Sequence, residues 1–239
     1  MSKEDNRCAG ESGRRRGFLP GRVEFVSPRM TLPVSVTGSA CALNCAHCGG
    51  HYLRGMAGLE EALGRRGEKA KSFLVSGGYT AGGRVPLRES WAELKKLAQR
   101  GPLNVHTGLV APEDAPALGD MARVISFDFV VDRAVINRVY GLRADPEDYL
   151  RSYRHLRRYC RVVPHLCIGI MGGRIGSEFR ALEILRREGA EAISFIVLRP
   201  TPGTAFAGVS PPSPEEIAAV LTRARALFPR TPLHLGCMR

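Results

Sequence analysis

The sequence has no run of about 18 apolar residues, so it offers no segment suited to cross a membrane as a helix. Its first residues, MSKEDNRCAGESGRRRG, contain no apolar h-region and are expected to form a polar, basic arm rather than a secretory signal. Aromatic residues amount to only 7%, and no basic stripe interleaved with aromatics is present, so nucleic acid is not the expected partner. Acidic residues are outnumbered, 23 against 35 basic ones, which leaves a net charge of +12. Ser/Gly-rich linkers and short internal repeats are also missing, so nothing divides the 239 residues into separate units. The expected organisation is an arm over residues 1–21 and one domain over 22–239, in the cytoplasm. In that reducing compartment seven cysteines argue for metal or catalytic roles before disulfides.

What is present is an alternation of short β-rich runs and longer amphipathic ones. Strands are expected at Leu32–Gly38, Ser72–Gly78, Leu103–Leu109, Val124–Val130, Val162–Ile170, Ala192–Leu198 and Pro232–Cys237. Helices are expected in RESWAELKKLAQRG, PEDYLRSYRHLRRY, SEFRALEILRREGA and SPEEIAAVLTRARALF. Ser213 followed by Pro214, Glu215 and Glu216 is a helix start, as is Asp145-Pro146-Glu147-Asp148, and Gly189 ends the helix that Ser177 opens. Strands alternating with helices of this length mean βαβ units and a parallel sheet, either a whole or partial barrel or a doubly wound open sheet. Arginines cluster at Arg14–Arg16 and in RSYRHLRRYCR; the second cluster, on a helix-like stretch, reads as a solvated face or as a docking surface for an acidic partner.

The chemistry-bearing stretch is CALNCAHC, in which Cys41, Cys45 and Cys48 follow the pattern C-x3-C-x2-C just after the first strand. Functional loops of parallel α/β folds lie at the carboxyl ends of strands. With His47 or His51 the three thiols could close a structural zinc site. Alternatively they hold a cubane iron–sulfur cluster, which normally takes four thiolates, and leave one iron open for chemistry. Their spacing and position resemble the radical S-adenosylmethionine (radical SAM) superfamily. That resemblance covers roughly Leu32 to Met238. It implies an α/β fold built as a partial parallel (β/α)6-type TIM-like barrel, a [4Fe–4S] cluster on Cys41, Cys45 and Cys48, and SAM at the open iron. It further implies reductive cleavage of SAM to a 5′-deoxyadenosyl radical that takes hydrogen from an unactivated C–H bond.

Other stretches match the superfamily at successive strand ends. SGGY (Ser76–Tyr79) stands where Gly-Gly-Glu is usual, so Gly77 and Gly78 are expected at the SAM amine, while Tyr79 replaces the acidic residue. GIMGGRIGSE (Gly169–Glu178) looks like the adenine-side motif and carries Gly172 and Gly173. RPTPGT (Arg199–Thr204) resembles a Pro-x-x-Gly-Thr turn, with Arg199 placed to pair with a carboxylate of SAM or substrate. His106 could contact SAM or substrate. Asp128 and Asp132 could bind the SAM ribose or cap the following helix. No residue is singled out as catalytic. His165 and Cys167, inside a strand, read as structural, and Trp91, Tyr140 and Phe195 as core.

VSVTGSACALNCAHCGGHYLRGM (Val34–Met56), SGGYTAGGRVPL, FDFVVD and LGCMR resemble the biotin-synthase-related branch, which includes a subunit of two-component lipoyl synthases. This implies sulfur insertion into an octanoyl chain on a carrier domain. The implied partners are a second radical SAM subunit, an acidic lipoyl carrier domain and a reductant such as ferredoxin or flavodoxin. A second iron–sulfur cluster would need Cys237, Cys160, Cys167 or a partner chain, Cys8 being the one cysteine of the arm. Because the chain ends two residues after Cys237, the barrel is expected to be closed by less protein or by a partner. The rival readings are another C–H functionalising radical SAM enzyme, such as a methyltransferase, and a non-catalytic iron–sulfur accessory or electron-transfer subunit.

Overall fold

The computed structural model describes residues 23–236. The arm expected at 1–21, with Cys8 and Arg14–Arg16, and Cys237 lie outside the described residues. Eight strands form one sheet: β1 (Thr31–Ser35), β2 (Ala57–Gly58), β3 (Ser72–Ser76), β4 (Leu103–His106), β5 (Ala122–Asp128), β6 (Val162–Ile168), β7 (Ile193–Val197) and β8 (Leu233–Leu235). Their order is β2-β1-β3-β4-β5-β6-β7-β8, and every pairing is parallel. The sheet is open, an α/β partial barrel, with β2 and β8 at its two edges. All seven expected strands are present; each ends before its apolar run does, because the run continues into the loop at the carboxyl end, and β1 and β5 begin one and two residues earlier than expected.

Helices α1 (Leu59–Leu63), α2 (Trp91–Arg100), α3 (Ala115–Met121), α4 (Pro146–Leu156), α5 (Glu178–Arg187) and α6 (Pro214–Leu227) pack side by side on one face of the sheet. The four expected helices are α2, α4, α5 and α6. α1, α3 and the edge strand β2 were not anticipated, since each is too short to show a period. The caps follow the sequence. Ser213 Oγ accepts from the Glu216 N–H, and Glu216 returns a bond to the Ser213 N–H. Asp148 likewise accepts from the Asp145 N–H at 2.8 Å, so this acidic stretch is a helix start.

Strand alternation sorts the two faces. On β6, Val162, Pro164, Leu166 and Ile168 are buried toward the helices, while Val163, His165 and Cys167 point to the barrel interior and are half-buried. On β5, Ile125 and Phe127 face the helices, where Phe127 packs on Tyr149 and Tyr153 of α4. Between β4 and β5 the register skips a residue: Leu103 pairs with Ala122, but Asn104 pairs with Val124. This bulge at Arg123 reverses the inside–outside phase of β5 relative to a straight ladder. Ser126 and Asp128 consequently face the barrel interior alongside Asn104 and His106, and Ser126 donates to Asn104 at 2.9 Å. Phe195 and Tyr140 are buried as expected, but Trp91 is only partly covered, with the Arg88 guanidinium 5.3 Å from its ring. No helix among the described residues is long and apolar enough to cross a membrane.

Candidate active site

Cys41, Cys45 and Cys48 sit in the loop that leaves β1 at the carboxyl end of the sheet, and all three line one cavity. Ser76, Gly77 and Gly78 from the end of β3 line it too, as do His47, His106, Asp128 and Tyr140. The loop has little regular structure and is held by bonds from its surroundings. The Tyr79 N–H donates to Cys41 Sγ at 3.3 Å. The Ala46 N–H donates to the Val139 carbonyl at 2.7 Å, and the Cys45 thiol to the Tyr140 carbonyl at 3.7 Å, both acceptors belonging to the π-helical turn Val135–Val139 or its end. The Phe206 N–H donates to the Ala46 carbonyl at 3.0 Å, and the Tyr52 and Thr201 hydroxyls lie 3.3 Å apart. The RPTPGT turn and the residues just after it therefore brace the cysteine loop.

Gly78 is required by this close approach. A Cβ there would press on the Ala40 carbonyl and lie 2.6 Å from Cys41 Cα. The glycine thus makes room for the cysteine loop itself. Gly172 and Gly173, both with φ in the left-handed region, form a turn after β6, and Arg199 is exposed after β7. These three lie farther round the rim and outside the lining of the cysteine cavity. Glu178, not expected in any role, organises that rim: it is buried and accepts from the Gly169 N–H at 2.7 Å and the Gly176 N–H at 2.6 Å.

The electrostatics favour a positive centre among the thiols. Burial, and then the neighbouring Cys48 and Cys41, push the Cys45 thiol up to about 12. Three sulfurs so placed repel one another as thiolates unless a cation sits between them. Burial also lowers the pKa of His47, whose Nδ1 is enclosed with no hydrogen-bond partner among the described residues. His47 meets the Tyr140 ring edge-on. His51, the other imidazole weighed for zinc, has its Nδ1 2.9 Å from the Cys48 carbonyl.

Behind the cysteines lies a polar cluster on the inward face. His106 Nε2 is 3.2 Å from Asp128 Oδ1, and the Tyr79 hydroxyl donates to Asp128 Oδ2 at 3.4 Å. Burial alone would raise the Asp128 carboxyl, but His106, by charge and hydrogen bond, and then His165 and His47 hold it well below the usual carboxylate range. Burial opposes a charge on His106 too, yet Asp128 raises its pKa. His165, read as structural, turns its ring into this cluster, 5.9 Å from that of His106. Asp132 instead caps the turn that follows, accepting from the Ala134 N–H at 2.7 Å. Cys167 lines a small cavity beside Asp128 and His165, whereas Cys160 precedes β6 at the opposite end of the sheet.

No protein-family model and no curated protein matches the chain. Solved structures do. Methylornithine synthase (PylB) aligns over 85% of this chain and 63% of its own, with 14% identity and a TM-score of 0.64. Streptococcus suis SuiB bound to S-adenosylmethionine aligns over 88% and 50%, with 10% identity and a TM-score of 0.62. HemN from Escherichia coli, a coproporphyrinogen III oxidase described as a radical SAM enzyme, aligns over 83% and 52%, with 14% identity and a TM-score of 0.52. At these identities the likeness is one of fold, and the chain spans between half and two thirds of the length of these structures.

Proposed function

We propose that the chain is a radical SAM enzyme. The observation that carries this reading is the meeting of Cys41, Cys45 and Cys48 with Gly77 and Gly78 on one cavity, at the carboxyl ends of parallel strands. The fold shared with a radical SAM enzyme and with a structure holding S-adenosylmethionine supports it. The donor set fits a [4Fe–4S] cluster: three thiols crowd one pocket with no fourth cysteine among the described residues that line it, so one iron would stay open. When bound, a reduced cluster with SAM supplies the electron that cleaves the sulfonium and the radical that takes hydrogen from a C–H bond.

The chain's own residues hold and shield that chemistry. Cys41, Cys45 and Cys48 are the metal ligands, and the Tyr79 N–H stabilises negative charge on Cys41. Gly77 and Gly78 present backbone at the cavity wall, where the SAM amine is proposed to bind. His106 and Asp128 form the polar floor. Gly172, Gly173 and Arg199 extend the binding surface along the rim. Buried Tyr140, on the wall of the cysteine cavity, helps keep water out of it.

The narrower reading is sulfur insertion into an octanoyl chain borne by an acidic carrier domain, with a second radical SAM subunit. It is supported by the resemblance of Val34–Met56 and by the net charge of +12. A neighbouring SuiB structure holds a precursor peptide, which supports a protein-borne substrate. The test is anaerobic reconstitution with iron and sulfide, followed by dithionite and SAM. Formation of 5′-deoxyadenosine with about four irons per chain is the expected result, and about eight would place a second cluster in this chain. A reducible cluster that leaves SAM intact would favour an accessory role.

A further inference from the structure

We propose a second metal site, separate from the three cysteines, at His106, Asp128 and His165. One nitrogen of each imidazole and one carboxylate oxygen lie within 4.8 Å of one another. The three come from adjacent strands by register. Asp128 of β5 pairs directly with His165 of β6, and His106 of β4 pairs with Ser126, one inward position below Asp128. All three side chains therefore point into the barrel interior from a rigid sheet.

One ligand pair already has the spacing a first-row divalent ion sets, and the third group stands within 4.8 Å of both. Ligands at about 2.1 Å from a tetrahedral or octahedral metal lie roughly 3.0 to 3.4 Å apart. His106 Nε2 and Asp128 Oδ1 already stand at 3.2 Å. Two imidazoles and one carboxylate suit Fe2+, Zn2+, Co2+ or Mn2+ and leave at least one coordination position open. Asp128 lines both the cavity of the cysteines and the smaller one that holds His165, so an ion here would border both.

Outer support is present as well. Ligating histidines are oriented by a hydrogen bond from their other ring nitrogen, and ligating carboxylates by bonds to their free oxygen. His106 Nδ1 lies 3.5 Å from the Tyr79 hydroxyl, which in turn donates to Asp128 Oδ2 at 3.4 Å. One tyrosine thus stands behind two of the three ligands. The inference does not rest on the chemistry of the cysteine site.

Two probes test it. The first is Co2+ titration of the full chain with Cys41, Cys45 and Cys48 all replaced by serine. One Co2+ per chain is expected, with visible d–d bands and no thiolate charge-transfer band. His165→Phe in that background should weaken binding by more than about 100-fold, and Tyr79→Phe by roughly 10- to 100-fold. The second is Mn2+ uptake by the unaltered chain, followed by loss of the free-ion EPR signal. Mn2+ prefers oxygen and imidazole over thiolate, so it reports this site even where the serine variant does not fold. One Mn2+ per chain, lost in Asp128→Ala, supports the site. No Mn2+ uptake by the unaltered chain, or uptake unchanged by Asp128→Ala and His165→Phe, overturns it. Both readouts are metal uptake rather than 5′-deoxyadenosine formation, so this inference and the cluster reading fail independently.

Discussion

The Tyr79 N–H donates to the Cys41 sulfur at 3.3 Å, so the end of β3 is bonded directly to the first of the three cysteines. The approach is possible because residue 78 has no side chain, a Cβ there being 2.6 Å from Cys41 Cα. Gly78→Ala is expected to displace the loop, at a cost of about 1–3 kcal/mol in stability. Iron retained after reconstitution should fall well below that of the parent chain. Gly82→Ala, whose Cβ would meet only Thr80 Oγ1 at 3.9 Å, is the matched control and should change neither.

Cys45 is the buried member of the three and has a thiol pushed up to about 12 by burial and by its neighbours. Replacing it with alanine should abolish cluster binding, read as iron and sulfide per chain. Cys160→Ala, at the opposite end of the sheet, should leave iron content at the parent level. A Cys45→Ala chain with full iron would refute the ligand assignment.

Glu178 satisfies two backbone N–H groups of the glycine-rich turn from a site only 4% exposed. Glu178→Gln keeps one acceptor oxygen and should lose roughly 1–3 kcal/mol in urea unfolding, and Glu178→Ala about twice that. The cysteine loop does not depend on this turn, so iron content should hold. SAM affinity, measured by calorimetry, should fall, because Gly172 and Gly173 lose their support.

Tyr153 is fully buried, with its hydroxyl unpartnered among the described residues. Burial raises its pKa to about 12, against the opposing influence of Arg157. In the unfolded chain a tyrosine ionises near pH 10, as an approximate reference value. Between those values the unfolded state sheds the proton first, so this residue's contribution is complete below about pH 10 and is lost as pH rises toward 12. Tyr153→Phe should remove that alkaline loss and raise stability at pH 8 by roughly 1 kcal/mol. Urea midpoints of the two chains at pH 8 and at pH 10.5 decide the matter; a parent chain that keeps pace with the variant at high pH would contradict the assignment.

Much of this was legible before the fold. Ile125-Ser126-Phe127-Asp128 alternates, so Asp128 had to lie opposite the face that Ile125 and Phe127 bury. The caps at Ser213 and Asp145 could be read because capping is decided within four residues. The cysteine spacing, too, is local. By contrast His165 looked structural and Glu178 carried no signal, because what gives each its surroundings lies on other segments.

The alternation of strands and helices and the inward or outward phase within each strand follow from backbone periodicity over a few residues, and the three thiols in one loop from their spacing along the chain. Which inward side chains meet depends on how the strands pack. His106 and Asp128 are brought together by a one-residue bulge at Arg123, and Asp128 and His165 by the β5–β6 register. Register is settled by burying the helix-side faces of neighbouring strands together, and that is a property of the packed sheet rather than of any one strand.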